Sequence, residues 1–357
     1  MLKHLAILCL LLSTGAPANP TEAERTKRSF ELSSEKWILE MTLADTPEAR
    51  REIIARRPDP NAAATELWRN IAPDLAQEWT IPYAAFFLTV SRNLIPTNDS
   101  GSTKPVFINE RQRLLKTFSE THVENPGITP FATALIDSGE PQALSLLEKI
   151  AKENPDEATQ GIAALGAALL LKSLGDNPEV MAKRLNFLRE AIIKSADQTV
   201  AGTSVADIAS DELYVIRYLS KGREAPSITG TDVAGRSVKL ADLKGRIVVL
   251  LFWDAKTDET DRIIQLTNQL STKYKENPVT ILGVTPESAE RIRTLQGDGS
   301  ILWSNISDPI EKLSKEYRIS SRPAVFVIDA QGKIQYTGLP GSFVELTVDA
   351  LLNPEKK

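Results

Sequence analysis

Arg246-Ile-Val-Val-Leu-Leu-Phe-Trp253, running on into Asp254-Ala-Lys-Thr-Asp-Glu-Thr260, decides the fold of the part of the chain in which it lies. The first stretch is rich in Val, Leu and Ile with no polar alternation, so it cannot be a strand that shows one face to water. It predicts a central strand buried on both faces. From Asp258 to Tyr274 the period changes, and Ile263, Leu266 and Leu270 fall on one side of a helix. Further on, the pattern predicts strands at Val279–Val284, Ala324–Asp329 and Lys333–Thr337, and helices at Ser288–Leu295, Pro309–Tyr317 and Phe343–Leu352. Asp329-Ala-Gln-Gly332 is a hairpin turn between two of those strands, and Ile228–Leu240 folds back around Asp232–Gly235 as a second hairpin. The sum is an α/β sheet with one antiparallel edge and helices over its faces.

Before about Lys221 the character differs. From Thr21 to Ser220 helical stretches are broken by Pro, Gly, Asn and Asp with almost no period-two alternation, which predicts an all-α domain. Asp176-Asn177-Pro178-Glu179 places a capping residue before a Pro at the first helical position, and Met181, Leu185, Leu188 and Ile192 continue the face. Ser204 to Asp207 has the form of a capping box ahead of Val205, Ile208, Leu213 and Ile216. Ala143, Leu147 and Ile150, then Ala158, Ile162, Leu165 and Leu169, predict a helical hairpin turning at Asn154-Pro155-Asp156. Pairs of this kind stack in series in helical repeat proteins, although no fixed period is present here. Ile95–Lys104 is a loop by composition.

At the N-terminus Lys3 precedes the apolar run Leu5–Leu12, and Ala16-Pro17-Ala18 supplies small residues for a cleavage site. That is the pattern of a secretory signal peptide over 1–18, shorter than the ~18 apolar residues a spanning helix needs. The expected organisation is therefore a signal peptide at 1–18, a repeat-like helical domain at 19–221 and an α/β domain at 222–357, in a protein exported to the periplasm or cell envelope. Cys9 is the one cysteine of the 357 residues, inside the apolar run and after Leu8 rather than a small residue, so lipid anchoring is not expected. The mature chain then has no thiol and no disulfide. A formal charge of −5 with no Lys/Arg block argues against nucleic acid or an anionic membrane surface as partner, and no anchor is left after cleavage.

Gly230-Thr-Asp-Val-Ala-Gly235, Leu240-Ala-Asp-Leu-Lys-Gly245, Val248–Trp253, Asp308, Tyr317-Arg-Ile-Ser-Ser-Arg-Pro323 and Phe326-Val-Ile-Asp329 to Gly332-Lys-Ile334 occur in an order and spacing similar to one known family. They resemble the thiol–disulfide oxidoreductases of the TlpA/ResA type, within the redoxin superfamily that includes alkyl hydroperoxide reductases. The resemblance implies a thioredoxin-like fold for the C-terminal domain. It also implies a Cys-x-x-Cys motif at the head of the first long helix, where this chain has Thr257 and Thr260 around Asp258-Glu259. Thiol–disulfide exchange needs a thiolate, and a threonine hydroxyl neither ionises near neutral pH nor forms a disulfide. Cysteine-based reductase, isomerase or peroxidase chemistry is thereby excluded from the mature chain.

Two readings of the degenerate motif stay open. Thr257 or Asp258 caps the helix, with neighbouring carboxylates favoured at its positive end. Alternatively Asp254, Asp258, Glu259 and Asp261 hold a hard cation such as calcium, though the spacing is not that of an EF-hand. A threonine nucleophile would need a base, and Lys256 is the one nearby candidate. By the resemblance, Pro323 is the family's cis-proline, and Trp253, Arg322 and Pro323 frame a groove where a peptide edge could pair. Otherwise Pro323 is a turn element of the fold. His122 stands alone and reads as a surface or helix-end residue, and Trp37, Trp68, Trp79 and Tyr83–Leu88 as packing. No cofactor is implied. The expectation is a non-catalytic binding or scaffold protein with a protein or peptide partner. The alternatives are a redox-homeostasis enzyme by family, or a cation binder at 254–261.

Overall fold

A computed structural model of the chain describes residues 18–92, 94, 106–136, 138, 140–175, 177–256 and 259–354. Residues 1–17 of the expected signal peptide, the loop at 95–104, and Asp176, Thr257 and Asp258 lie outside the described residues. The chain divides into two compact units between Ala209 and Ser210.

The first unit is built from α1 (Pro20–Leu43), α2 (Pro47–Ile54), α3 (Pro60–Ile71), α4 (Ile81–Val90), α5 (Ile108–Thr121), α6 (Thr129–Ile136), α7 (Pro141–Glu153), α8 (Glu157–Leu171) and α9 (Pro178–Ser195). Its helix starts are written in the sequence. Asn19, Thr46, Asp59 and Asn177 each accept a backbone N–H of the first turn, and each is followed by a proline at the head of the helix. The expected hairpin is α7 and α8. Asn154 holds its turn by donating to the carbonyls of Val123 and Asn125 at 2.7 and 2.9 Å, and Asp156 caps α8. α8 is buried along most of its length because small residues let its neighbours in. A Cβ on Gly161 would lie 1.9 Å from Ser195 Oγ of α9, and one on Gly166 would lie 2.9 Å from Ile136.

Two details depart from expectation. Thr199–Val200 (β1) and Thr203–Ser204 (β2) form a minimal hairpin inside the otherwise helical region. Its turn, Ala201-Gly202, has positive φ at both residues, as a two-residue hairpin loop requires. His122 closes α5 but is not at the surface: it is 1% exposed, and its Nε2 lies 2.8 Å from the Leu75 carbonyl. Ser204 and Asp207 do form the capping box of α10 (Val205–Tyr214).

The second unit is a thioredoxin-like domain with a mixed sheet. In chain order it has β3 (Thr229–Thr231), β4 (Ser237–Lys239), β5 (Ile247–Phe252), α11 (Thr260–Lys273), β6 (Val279–Thr285) and α12 (Ala289–Gly297). There follow β7 (Ser304–Ser307), α13 (Lys312–Glu316), β8 (Ala324–Ile328), β9 (Ile334–Gly338) and α14 (Ser342–Leu352). The main sheet runs β7-β6-β5-β8-β9, with β5, β6 and β7 parallel and β8 and β9 antiparallel to their neighbours. β5 is central and buried throughout, as its composition demands.

The pleat sends alternate β5 residues to two cores. Val248, Leu250 and Phe252 join Leu282, Phe326, Tyr317 and Leu219, with Tyr214 and Val215 packed against them. Ile247, Val249, Leu251 and Trp253 join Ile263, Tyr274, Trp303, Val344 and Val348. Residues 210–219 therefore contribute to the sheet unit's core ahead of the change in sequence character at Lys221.

Both sides of the sheet are met by the chain itself. Asp232 bridges to Ile306 of β7, and Gly222–Ala225 runs along the start of β9 through N–H bonds from Gly222 to Ile334 and from Ala225 to Gly332. The antiparallel edge is the expected hairpin of β8 and β9. β7 was not expected at all, since Ser304-Asn305-Ile306-Ser307 shows no apolar period. α13 is shorter than the expected Pro309–Tyr317, because Glu311 takes a left-handed conformation just before it.

Candidate functional site

Strand register brings four segments together at one pole of the sheet. Phe252 pairs with Val284 on one side and Ala324 on the other, and Thr285 pairs with Ser307. Trp253–Lys256, Pro286–Ser288, Asp308 and Arg322–Pro323 consequently follow or precede the same row of strand ends. The crossover through α11 leads to β6 on one side of β5, while β8 lies on the other. This is a topological switch point, where open α/β sheets leave a crevice. The Arg322–Pro323 bond is cis.

Among the residues the sequence singled out, Trp253 is placed differently from expectation. Its side chain is fully buried, on the face of β5 covered by α11 and α14. Its indole N–H donates to Asn305 Oδ1 at 2.9 Å, and the same oxygen accepts the Trp303 indole at 3.1 Å. The two rings sit edge to face at 5.9 Å. Asn305 Nδ2 donates in turn to the Trp303 carbonyl. Gly283 makes room for this arrangement, since a Cβ there would lie 1.9 Å from Asn305 Oδ1. Trp253 thus cannot frame a groove. A strand buried on both faces gives no sequence signal for which face its last aromatic takes.

The approach to α11 is held by local bonds. Asp254 accepts the Lys256 N–H at 2.9 Å, and the Thr260 hydroxyl donates to the Asp254 carbonyl at 3.0 Å. Thr260 is the first residue of the helix, and Glu259, in the N-cap position, makes no side-chain capping bond. The cap expected from Thr257 or Asp258 falls on residues outside the described set. Glu259 and Asp261 are exposed. Among the described residues no three His, Cys, Asp or Glu side chains come together as a metal ion requires, and Asp258, the fourth carboxylate of the cation reading, lies outside them.

Arg322 is committed to α13: its Nη2 donates to Glu311 Oε1 and Ser314 Oγ, both at 3.0 Å. Asp308 is likewise used. Its carboxylate accepts the N–H groups of Leu313 and Ser314 and the Ser314 hydroxyl, and so starts α13 across the Glu311 kink. Glu287 escaped the sequence reading. It is 9% exposed, and its Oε1 lies 3.7 Å from Lys256 Nζ. Its place just after a parallel strand, at the crevice, was the signal available. Behind the pole, Tyr317 donates to the Pro226 carbonyl at 2.7 Å, and burial pushes its phenol well above the ordinary range.

Strand order, crossovers and the proline ahead of β8 define a thioredoxin-like domain whose pole carries no thiol, the chain's one cysteine being Cys9. Residues 221–337 match the AhpC/TSA family, and this domain belongs to it. The thiol-disulfide oxidoreductase ResA of a Bacillus cereus strain is 30% identical over 114 residues, which are 32% of this chain and 66% of that protein. The chain thus spans about 66% of the length of the ResA relatives it matches. Chloroplastic peroxiredoxin Q of Oryza sativa subsp. japonica is 26% identical over 160 residues, or 42% of this chain and 73% of that one. Among solved structures, a putative thiol:disulfide interchange protein DsbE from Chlorobium tepidum aligns at 24% identity and a TM-score of 0.35, covering 37% of this chain and 98% of the other. The thioredoxin domain of a thiol-disulfide oxidoreductase from Bacteroides vulgatus aligns at 29% identity and a TM-score of 0.34, covering 38% and 99%. Among the described residues no helix is long and apolar enough to cross a membrane.

Proposed function

We propose that this is an exported protein of the cell envelope whose redoxin domain binds a polypeptide and performs no thiol chemistry. The observation that carries the reading is the loss of chemistry with the fold kept. An AhpC/TSA domain with its full sheet stands in a chain whose single cysteine, Cys9, lies in an N-terminal apolar run of the kind that signal peptidase removes. At the head of α11, where the relatives named as oxidoreductases would act, Thr260 uses its hydroxyl on the Asp254 carbonyl. The proposed docking place is the crevice between Asp254–Lys256 and the backbone ahead of β8 at Pro323. An extended peptide can pair there through main-chain bonds that need no cysteine.

The test has two arms. Chain lacking residues 1–18 is assayed for insulin disulfide reduction and for peroxide removal. It is also mixed with short labelled peptides carrying a photocrosslinker. No turnover above buffer is expected, with crosslinks mapping to Asp254–Lys256 and Ser321–Ala324. Turnover in either assay, or crosslinks confined to the helical unit, defeats the proposal.

A further inference from the structure

The polar groups at the pole differ in how far the fold uses them. Asp308 has its hydrogen bonds in α13, and so does Nη2 of Arg322, although Arg322 Nε makes none. Glu287 contributes to structure only through its backbone: its carbonyl accepts the Ser307 hydroxyl at 2.7 Å, and its N–H reaches Thr285 Oγ1 at 3.4 Å. Its carboxylate is buried, and Oε1 accepts no hydrogen bond among the described residues. The ion pair with Lys256 at 3.7 Å is longer than a hydrogen bond, and the Lys256 side chain is 80% exposed. A buried carboxylate short of donors is costly and returns nothing visible to the fold.

The surroundings indicate what would complete it. Lys256 shows that a cation approaching from the solvent side reaches Oε1. The exposed Glu259 and the half-buried Asp254 give the mouth a negative rim. From this we infer that Glu287 is the specificity-determining residue of the pole, receiving a lysine or arginine side chain of the bound peptide. Lys256 covers the carboxylate until the peptide's own cation replaces it. An arginine fork suits the site best, because it can supply two charge-assisted bonds in one plane. The inference rests on the peptide-binding reading above.

Short fluorescein-labelled peptides of Ser, Thr and Val, differing only in a central Arg, Lys, Gln or Glu, distinguish the two when binding to the full chain is followed by anisotropy in low salt. Wild type is expected to prefer Arg and Lys over Gln by about tenfold, with Glu weakest, as one charge-assisted contact gives. Glu287→Gln should bring the Lys and Gln peptides within about twofold of each other. Lys256→Ala, an exposed change that leaves packing intact, should tighten the Arg and Lys peptides by about threefold and not the Gln peptide. Equal binding of Lys and Gln peptides by wild type overturns the inference, as does a preference that survives Glu287→Gln. So does a Lys256→Ala protein whose basic peptides bind no more tightly, and this arm decides if Glu287→Gln does not fold. In those cases peptide binding itself still stands. Wild type that binds none of the peptides overturns the docking proposal and this inference together.

Discussion

The helical unit and the sheet unit bury polar side chains in different ways. In the helical unit several such groups tie one loop or helix to the backbone of another, while Ser91 Oγ and Arg111 Nε accept or donate no hydrogen bond among the described residues. His122 meets the Leu75 carbonyl, Asn154 the carbonyls of Val123 and Asn125, Ser195 the carbonyl of Ala158, and Arg111 the carbonyl of Ser91 beside its ion pair with Glu140. In the sheet unit four of the buried polar residues, Thr285, Glu287, Asn305 and Asp308, collect at and beside one pole. The first pattern is what a bundle needs to close its connections. The second leaves Glu287 Oε1 without a donor, as the first leaves Ser91 Oγ, but the Glu287 carboxylate stands at the crevice of the sheet, where ligand recognition is to be sought.

The sharpest way to break this comparison is at the two glycines that admit the tightest contacts. Gly283→Ala drives a methyl into the Asn305 amide and the Trp303 indole on a central strand, and about 3 kcal/mol of stability should be lost in urea unfolding followed by tryptophan fluorescence. Gly161→Ala meets the Ser195 and Lys194 side chains. Those can yield a little, so about 2 kcal/mol is expected by far-UV circular dichroism. If the helical change proves the costlier, the sheet unit is not the more closely fitted of the two.

Asn305→Ala leaves two buried indole N–H groups without their acceptor and should cost about 2–3 kcal/mol. Asn154→Ala strips bonds from two carbonyls, of which that of Asn125 still accepts the Ile128 N–H, so about 1–2 kcal/mol is expected in the same titration. Equal losses would mean that the two units use buried amides alike.

The smallest effect concerns pH. Burial, then the Asp349 carboxylate that accepts its hydroxyl at 2.7 Å, raise the Tyr274 phenol to about 12. Because the folded value lies above the unfolded one of about 10, this stabilisation is complete below about pH 10 and is lost as pH rises toward 12. Burial moves Tyr336 in the same direction. Thermal melts between about pH 9 and 12 should therefore show a declining midpoint. Tyr274→Phe should make the decline shallower, and an unchanged slope would remove Tyr274 from the account.

How much of this could be read beforehand depended on where each signal resides. β5 was legible because a wholly apolar run has one stable environment in such a sheet, and the capped helix starts at Asn177 and Ser204 because the capping chemistry is local. β7 was not, since Asn305 is buried by two indoles, one of them distant in sequence, and no local pattern announces a polar residue made acceptable by its partners. The beginning of α13 was misjudged because Asp308 caps it from across the Glu311 kink rather than from the adjoining position. Of the site, Pro323 was visible by resemblance. The burial of Trp253, the attachment of Arg322 to α13 and the position of Glu287 depend on strand register, which joins residues that the sequence keeps apart.

The bridge from Asp232 to Ile306 and the run of Gly222–Ala225 along β9 also determine how the sheet domain can be handled as a fragment. A version begun after Ala225 would leave bare amides beside β9 and would lose Tyr214, Val215 and Leu219 from beneath the sheet. Such a fragment is a template for chain-to-chain stacking, and its precipitation would say nothing about the stability of the intact protein. The segment that looks like a tether in the sequence is a seam of the domain, and truncations should begin on its N-terminal side.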